Sequence, residues 1–342
     1  MQKSPIAVIG AGSWGTALSL LLHNKGHDVR LWMRSPEQFN ALVKTRENKD
    51  YLSGIHLPKE LKIFNEIEKA IKKTNIILLA VPTQSVRNIL NILEPYIKPN
   101  QIIVNASKGL ELNSYLRVSQ ITKEILPGNN FVALSGPSHA EEVCKKIPTT
   151  IVVSGEDKES TEYVQDAFMT KEFRVYTNPD LIGVELGGAL KNIIAFGAGV
   201  SDGLGYGDNA KAALMTRGLS EMSRLGKAMG ANLSTFAGLT GIGDLIVTCT
   251  SMHSRNRRAG ILVGQGKNLE EAIKEIGMVV EGITTTKAAY ELSKKYEVEM
   301  PITEEIYKIL YENDSAKDAV TRLMTRSKKH EIEEIVDLNF FN

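Results

Sequence analysis

The chain has 342 residues, with 41 Lys and Arg against 40 Asp and Glu, 42% hydrophobic residues and 24% charged ones. That balance is globular and excludes a disordered or collagen-like chain. The net charge of +1 argues against general affinity for nucleic acid or anionic membrane. The two cysteines, Cys144 and Cys249, cannot build a disulfide framework or a four-cysteine metal site, so a reduced cytoplasm is the expected setting. At about 100–200 residues per domain, two domains are expected.

No run approaches the roughly 18 apolar residues of a membrane-spanning helix. The closest stretch, residues 17–22, ends at His23. The N-terminus does not read as a signal peptide, so no membrane insertion is expected. In chain order, β-rich runs at 6–9, 29–33, 75–81, 101–105, 131–135, 149–154 and 173–176 alternate with helical periods at 13–24, 84–96 and 115–125. Apolar strands with intervening helices imply right-handed crossovers and a mostly parallel sheet. After Asn178-Pro179 the pattern becomes helical, at 180–200, 208–229, 268–276, 284–296, 301–311 and 315–328. The expected architecture is an α/β Rossmann-like dinucleotide-binding domain over 1–180, followed by an all-helical substrate or catalytic domain over 181–342.

Gly10-Ala11-Gly12-Ser13-Trp14-Gly15 follows the first strand and opens a helix, the context that a dinucleotide fingerprint requires. Gly10 permits the tight turn, Gly12 lets a pyrophosphate approach the backbone, and Gly15 lets helix and strand pack closely. The free N–H groups at the helix start face the phosphates. An NAD-specific site places an acid at the end of the second strand. Here the run is Leu31-Trp32-Met33-Arg34, and Asp28 sits before the strand. Arg34 suits a 2′-phosphate, so NADP(H) is expected to be accepted, NAD(H) being the other candidate.

Ligands in such sheets sit at the carboxyl ends of strands. That places Lys108, in Ser107-Lys108-Gly109, near the nicotinamide end. Ser135-Gly136-Pro137-Ser138-His139-Ala140 repeats the strand-end pattern, with Pro137 at an expected helix start. In the helical half, Gly187-Gly188-Ala189-Leu190-Lys191-Asn192 puts two glycines inside a helix at about 1 kcal/mol each, which close contact with a backbone or ligand would explain. Lys191 there either has a partner or function, or reaches out to water. Asp244, after Gly241-Ile242-Gly243, reads first as a helix cap. Ser254-Arg255-Asn256-Arg257-Arg258 offers arginine forks, a hydroxyl and amides suited to a phosphate monoester. The six histidines, His330 among them, show no metal-ligand spacing, and no metal is expected. Cys249 has no obvious base partner and reads as structural, and the methionines read as core filler.

With those motifs, and with Val280-Glu281-Gly282 and Met300-Pro301-Ile302-Thr303-Glu304-Glu305, the sequence resembles the bacterial NAD(P)-dependent glycerol-3-phosphate dehydrogenases over nearly its whole length. The lysine motif and the serine–arginine–asparagine run are the specific parts. The resemblance implies a Rossmann domain with a 6-phosphogluconate-dehydrogenase-like helical domain. It implies reversible reduction of dihydroxyacetone phosphate to sn-glycerol 3-phosphate, supplying glycerophospholipid synthesis, in a cytoplasmic homodimer. It implies that Lys191 is the proton acceptor in the oxidative direction. Substrate contacts follow at Lys108, Gly136, Ser138, Lys191, Asp244, Ser254, Arg255 and Asn256. Dinucleotide contacts follow at Ser13, Trp14, Arg34, Tyr51, Lys108, Ala140, Arg255, Val279 and Glu281, beside the fingerprint glycines. The competing readings are a related two-domain 2- or 3-hydroxyacid dehydrogenase and a non-catalytic dinucleotide sensor.

Overall fold

The structure, a computed structural model, describes residues 5–328. His330 and the last stretch of the expected second domain lie outside the described residues.

Eight strands form one sheet: β1 (Pro5–Ile9), β2 (Asp28–Trp32), β3 (Lys62–Phe64), β4 (Ile76–Leu79), β5 (Ile102–Asn105), β6 (Phe131–Ser135), β7 (Thr149–Gly155) and β8 (Phe173–Thr177). Their spatial order is β3-β2-β1-β4-β5-β6-β7-β8. Neighbours run parallel except β6 and β7. The order of the first six is that of a doubly wound nucleotide-binding sheet. Successive side chains alternate in direction, so each strand feeds two cores. Ile6, Val8, Leu31, Leu78 and Val104 share one core with Leu18 and Leu22 of the helix Ser13–Asn24. Ala7, Ile9, Ile77, Leu79 and Ile103 share the other with Val86, Leu90 and Leu93 of the helix Val86–Leu93. Burial on both faces is why these strands read as unbroken apolar runs. Each fully buried Ile or Leu stabilises the fold by about 1.5–3 kcal/mol.

The differences from expectation are local. β3 has three residues and only two apolar ones, too short for a periodic signal. The helix Pro36–Thr45 follows a Ser35 cap and buries only Leu42, so its apolar face is too narrow to stand out. The strand expected over 75–81 is trimmed to Ile76–Leu79, because Ala80 and Val81 already turn toward the glycine loop. The helix expected from 115 begins at Val118. Pro137 starts no helix; the short helix begins at Ala140, with His139 as its cap position.

Three residues beyond β8 a long helix begins. This central helix, Leu181–Gly203, is ringed by Asp208–Ala228, Asp244–Thr250, Arg255–Gly264, Glu281–Lys295 and Pro301–Tyr311. By length and mean hydropathy, 1.4 over its best window, it could cross a membrane, but 89% of that window is buried in the fold. The segment Leu233–Thr250 passes the same test with 44% buried. The central helix, not residues 17–22, is therefore the most apolar long element named here, because packing on every side leaves it no polar face. Glycines bring it into backbone contact with Arg255–Gly264. A Cβ on Gly199 would lie 2.0 Å from the Arg257 carbonyl oxygen, and one on Gly260 would lie 2.1 Å from that of Phe196. This contact sets Ser254–Asn256 beside Lys191 and Asn192.

Candidate active site

The glycine loop leaves β1 with Gly10 at φ +111°, where a Cβ would meet the Ala80 carbonyl oxygen at 2.6 Å. A Cβ on Gly15 would sit 1.9 Å from the Gly10 carbonyl oxygen. Both positions therefore exclude side chains for internal reasons. Gly12 differs: a Cβ there meets nothing within 4 Å. The helix that follows has no side-chain cap, because its cap position is Gly12; the Ser13 hydroxyl in its first turn donates to the Tyr51 carbonyl at 2.6 Å. Uncapped N–H groups beside open space fit a pyrophosphate. Asn48 holds the loop in place, donating to the Ala11 carbonyl and the Thr16 hydroxyl at 2.8 Å each.

A cleft of about 820 Å³ runs from this loop to the helical layer. Lys108 and Lys191 stand at its floor. Asp244, 1% exposed, lies behind them and accepts from both: Lys108 Nζ reaches Oδ2 at 2.8 Å, and Lys191 Nζ donates to Oδ1. Lys108 also donates to the Gly136 carbonyl at 2.8 Å, and Lys191 to the Thr248 hydroxyl at 2.7 Å. Thr248 in turn donates to the Asp244 backbone carbonyl. Each lysine thus spends two of its three N–H groups on this network and keeps one. Burial lowers the Lys191 pKa to about 7, with Asp244 opposing the change and Lys108 adding to it. Burial pushes the Asp244 carboxyl upward, but Lys108 and Lys191 outweigh it and hold the group below its ordinary value.

The two glycines of the central helix have internal reasons. A Cβ on Gly187 would meet the Thr240 carbonyl oxygen at 2.8 Å, and one on Gly188 the Ser135 hydroxyl at 2.7 Å. The helix therefore lies directly against the end of β6, which brings Lys191 beside Lys108. Amides continue the network: Asn192 donates to the Lys108 carbonyl at 3.1 Å, Asn256 to Asn192 Oδ1 at 2.9 Å, and Gly282 N–H to Asn256 Oδ1 at 2.8 Å. Ser254 caps its helix by accepting from Arg257 N–H at 3.2 Å. Arg257 is committed to Asp202 at 2.7 Å. Arg255 uses one nitrogen on the Val279 carbonyl at 2.9 Å and otherwise faces the cleft. Glu281 accepts from Thr83 N–H at 2.9 Å, across the two parts of the chain, and its second oxygen is buried without a donor among the described residues. Burial raises its pKa, against the pull of Thr83 and Arg255.

Two family models match this chain: the N-terminal part of the NAD-dependent glycerol-3-phosphate dehydrogenases over residues 5–161 and the C-terminal part over 180–321. The chain belongs to the NAD-dependent glycerol-3-phosphate dehydrogenase family. It is similar to the glycerol-3-phosphate dehydrogenase (NAD(P)+) of Thermoanaerobacter sp. (strain X514), at 56% identity over 96% of this chain and 98% of the relative. The enzyme of the same name from Pelotomaculum thermopropionicum is 56% identical over 98% of this chain and 97% of its own. The crystal structure of glycerol-3-phosphate dehydrogenase from Coxiella burnetii matches with a TM-score of 0.92 at 38% identity, covering 95% of this chain and 99% of that one. The family is one of oxidoreductases that use a nicotinamide dinucleotide.

Most of the residues marked out by the sequence meet in the one cleft. Gly10, Gly12, Ser13, Trp14, Arg34, Tyr51, Lys108, Ser138, Ala140, Lys191, Ser254, Arg255, Asn256, Val279 and Glu281 all line it. Gly15, Gly136 and Asp244 stand behind the lining, as a packing contact, a carbonyl acceptor and a carboxylate partner. Arg34, Tyr51 and Val279 are the exposed members. Asp28 is the first residue of β2 and pairs with Lys62 at 2.7 Å, at the opposite end of the strand from Arg34. One local reading changes. Asp244 does not cap its helix: its carboxylate turns to the lysines, and a π-turn at Leu239–Gly243 leads into the helix instead. Cys249 is fully buried and its thiol is pushed up to about 12 by burial. Sequence reasoning passed over Asn192 and Thr248, whose polarity inside buried helix faces was the available signal, and Thr83, which had none. No cluster of three metal-ligating side chains occurs among the described residues.

Proposed function

We propose that this chain interconverts dihydroxyacetone phosphate and sn-glycerol 3-phosphate with NAD(P)(H), residues 1–180 holding the dinucleotide and 181–342 the substrate. The observation that carries the reading is the floor of the cleft, where two lysines converge on one buried carboxylate and each retains an unspent N–H. When bound, the dinucleotide supplies the hydride for reduction and takes it back in oxidation.

The residues of the chain do the rest. As the ketone is reduced, negative charge grows on its oxygen. The free N–H of Lys191, aided by that of Lys108, stabilises this charge in a buried setting where such donors act strongly. Lys191 then gives its proton to the oxygen, and in oxidation takes it from the hydroxyl. A pKa near 7 suits a group that must do both. Asp244 and Thr248 hold the ammonium in place, which limits the motion needed at each turnover. Arg255, Ser254 and Asn256 receive the phosphate, with Gly136 and Ser138 beside the reacting carbon. This binding, remote from the ketone, orients it for reduction. Ser13, Trp14, Tyr51, Ala140, Val279 and Glu281 hold the dinucleotide, and Arg34 takes a 2′-phosphate when one is present. On this reading the enzyme is a cytoplasmic homodimer that feeds glycerophospholipid synthesis; the burial of the central helix speaks against that helix inserting in a membrane, and the free cysteines fit a reducing compartment.

The test is the initial rate of NADPH and NADH oxidation with dihydroxyacetone phosphate, with unphosphorylated dihydroxyacetone as control. Turnover that requires the phosphate is the expected result, and Lys191→Ala should lose most of it while still binding dinucleotide. No turnover from folded protein that binds either dinucleotide overturns the reading.

A further inference from the structure

Of the three arginines in the run Ser254-Arg255-Asn256-Arg257-Arg258, the mechanism above uses one and the fold uses another. Arg257 is bound to Asp202 through Nε at 2.8 Å and Nη2 at 2.7 Å, and donates to the Thr250 carbonyl at 3.0 Å. Arg255 donates to the Val279 carbonyl and is given the substrate phosphate. Arg258 also lines the cleft, half-buried, yet its guanidinium makes no hydrogen bond or ion pair among the described residues. Its setting makes that costly. The helix Arg255–Gly264 has no acid in its first turn, although the positive end of a helix favours anions and disfavours cations. Arg255 and Arg258 stand three residues apart and share a helix face. Burial lowers the Arg255 pKa against the pull of Glu281 and Glu141, and the charge of Arg258 adds to the lowering. A guanidinium stays charged, so two of them on one face of a positive helix end call for an anion that the chain does not supply there.

Two anionic groups enter the cleft: the substrate phosphate and the dinucleotide pyrophosphate. The ketone must reach Lys191, which keeps the substrate near that lysine. Asn256, joined to Asn192 at 2.9 Å, holds the start of the arginine helix on that side. Arg258 lies about 4.5 Å further along the axis than Arg255, on the face that makes the Val279 contact and not on the face that makes the Asn192 contact. The pyrophosphate, for its part, lacks a cation on the sheet side. Gly10–Gly15 contains no basic residue and offers backbone N–H groups and the open space at Gly12. Lys108 is already engaged with Asp244 and the Gly136 carbonyl, at 2.8 Å each. The counter-charge for the pyrophosphate therefore has to come from the helical side of the cleft.

We propose that Arg258 is a further dinucleotide-binding residue, whose guanidinium pairs with the pyrophosphate from the helical side of the cleft. A guanidinium fork suits such an oxyanion. The dinucleotide then bridges the two parts of the chain, held by the glycine loop on one side and by the arginine helix on the other. The inference rests on the placement of the dinucleotide along the glycine loop given above.

The test is a fluorescence titration of wild type and Arg258→Met with NADH and with NADPH, beside kcat/KM for dihydroxyacetone phosphate and for dihydroxyacetone at saturating NADH. The variant should raise Kd for both dinucleotides by the same factor, about tenfold or more, and keep the wild-type preference for the phosphorylated substrate. Arg258→Lys, which keeps the charge but not the fork, should recover part of the affinity. The urea midpoint of Arg258→Met should not fall, since a cation leaves the positive end of a helix; a merely structural Arg258 would lower it and leave Kd alone. If Arg258→Met does not fold, Arg258→Gln carries the same comparison. A loss confined to NADPH would place Arg258 at the 2′-phosphate, and a fall in phosphate preference with Kd unchanged would place it at the substrate; either overturns the proposal, as does a variant that binds both dinucleotides like the wild type. A wild type that binds neither dinucleotide would instead overturn the placement on which the proposal rests.

Discussion

Replacing Asp244 by Asn keeps the shape and one acceptor oxygen but removes the anion on which both lysines converge. In the native protein Asp244 is the strongest influence raising the Lys191 pKa against burial. An ion pair at about 4 Å and an effective dielectric near 20 is worth about 4 kcal/mol, and about 1.4 kcal/mol corresponds to a tenfold change in protonation. Without Asp244, burial and Lys108 remain, and both favour neutral Lys191. Losing one partner of a buried pair costs about 3–5 kcal/mol if the charge stays, so release of the Lys191 proton is the cheaper response. The assay is kcat/KM for oxidation of sn-glycerol 3-phosphate against pH, which reports groups of the free enzyme. Lys191 must be neutral to accept a proton, so the wild-type rate should rise through about 7 and then level. In Asp244→Asn the rise should move at least about one pH unit lower, with a plateau about 10²-fold down because the amine is less firmly held. A rise that stays in place, or moves to higher pH, would refute the assignment of Asp244 as the charge that holds the Lys191 proton.

Other expectations concern the loop, the cofactor and the contact between the two parts of the chain. Gly15→Ala drives a Cβ into the Gly10 carbonyl at 1.9 Å and should lower stability by about 1–3 kcal/mol or more, read as a lower urea midpoint. Gly12→Ala meets no protein atom within 4 Å, so its midpoint should match the wild type while dinucleotide affinity falls in a fluorescence titration; the opposite pattern would show that the loop is built for packing alone. Arg34→Ala should lower kcat/KM for NADPH about tenfold or more and leave NADH little changed, and equal losses would remove the 2′-phosphate role. Arg117→Met strands the buried carboxylate of Glu185, which otherwise accepts from Arg117 and from Ser119 N–H at 2.8 Å. It should cost about 3–5 kcal/mol at neutral pH in urea unfolding. Burial already raises the Glu185 pKa against the pull of Arg117, so the loss should shrink as pH falls and the stranded carboxyl takes up a proton.

What could be read from the one-dimensional chain follows from how locally each signal arises. The glycine fingerprint, the strand that precedes it and the helix that follows lie within a short stretch, and their spacing alone names the nucleotide loop. The parallel strands declare themselves because burial on both faces leaves no polar alternation. The arginine run is legible because its donors are neighbours in sequence. The short edge strand β3 and the helix Pro36–Thr45 were not legible, because each buries too little to imprint a period.

Long-range placement was decided by packing. Asp244 looks like a cap in its own neighbourhood, and only the approach of the central helix and the β5 loop turns its carboxylate toward two lysines distant in sequence. The same approach decides which arginine is free, since Arg257 is taken by Asp202 while Arg255 is left to the cleft. The pKa of Lys191 likewise has no local cause. It follows from burial and from charges brought together by glycines thin enough to let helix and sheet touch. Sequence alone determined the nucleotide-binding framework, because backbone geometry and hydrophobic period act between near neighbours. Tertiary structure decided the chemistry of the floor, because desolvation and Coulomb interactions depend on distances in space that the order of residues does not carry.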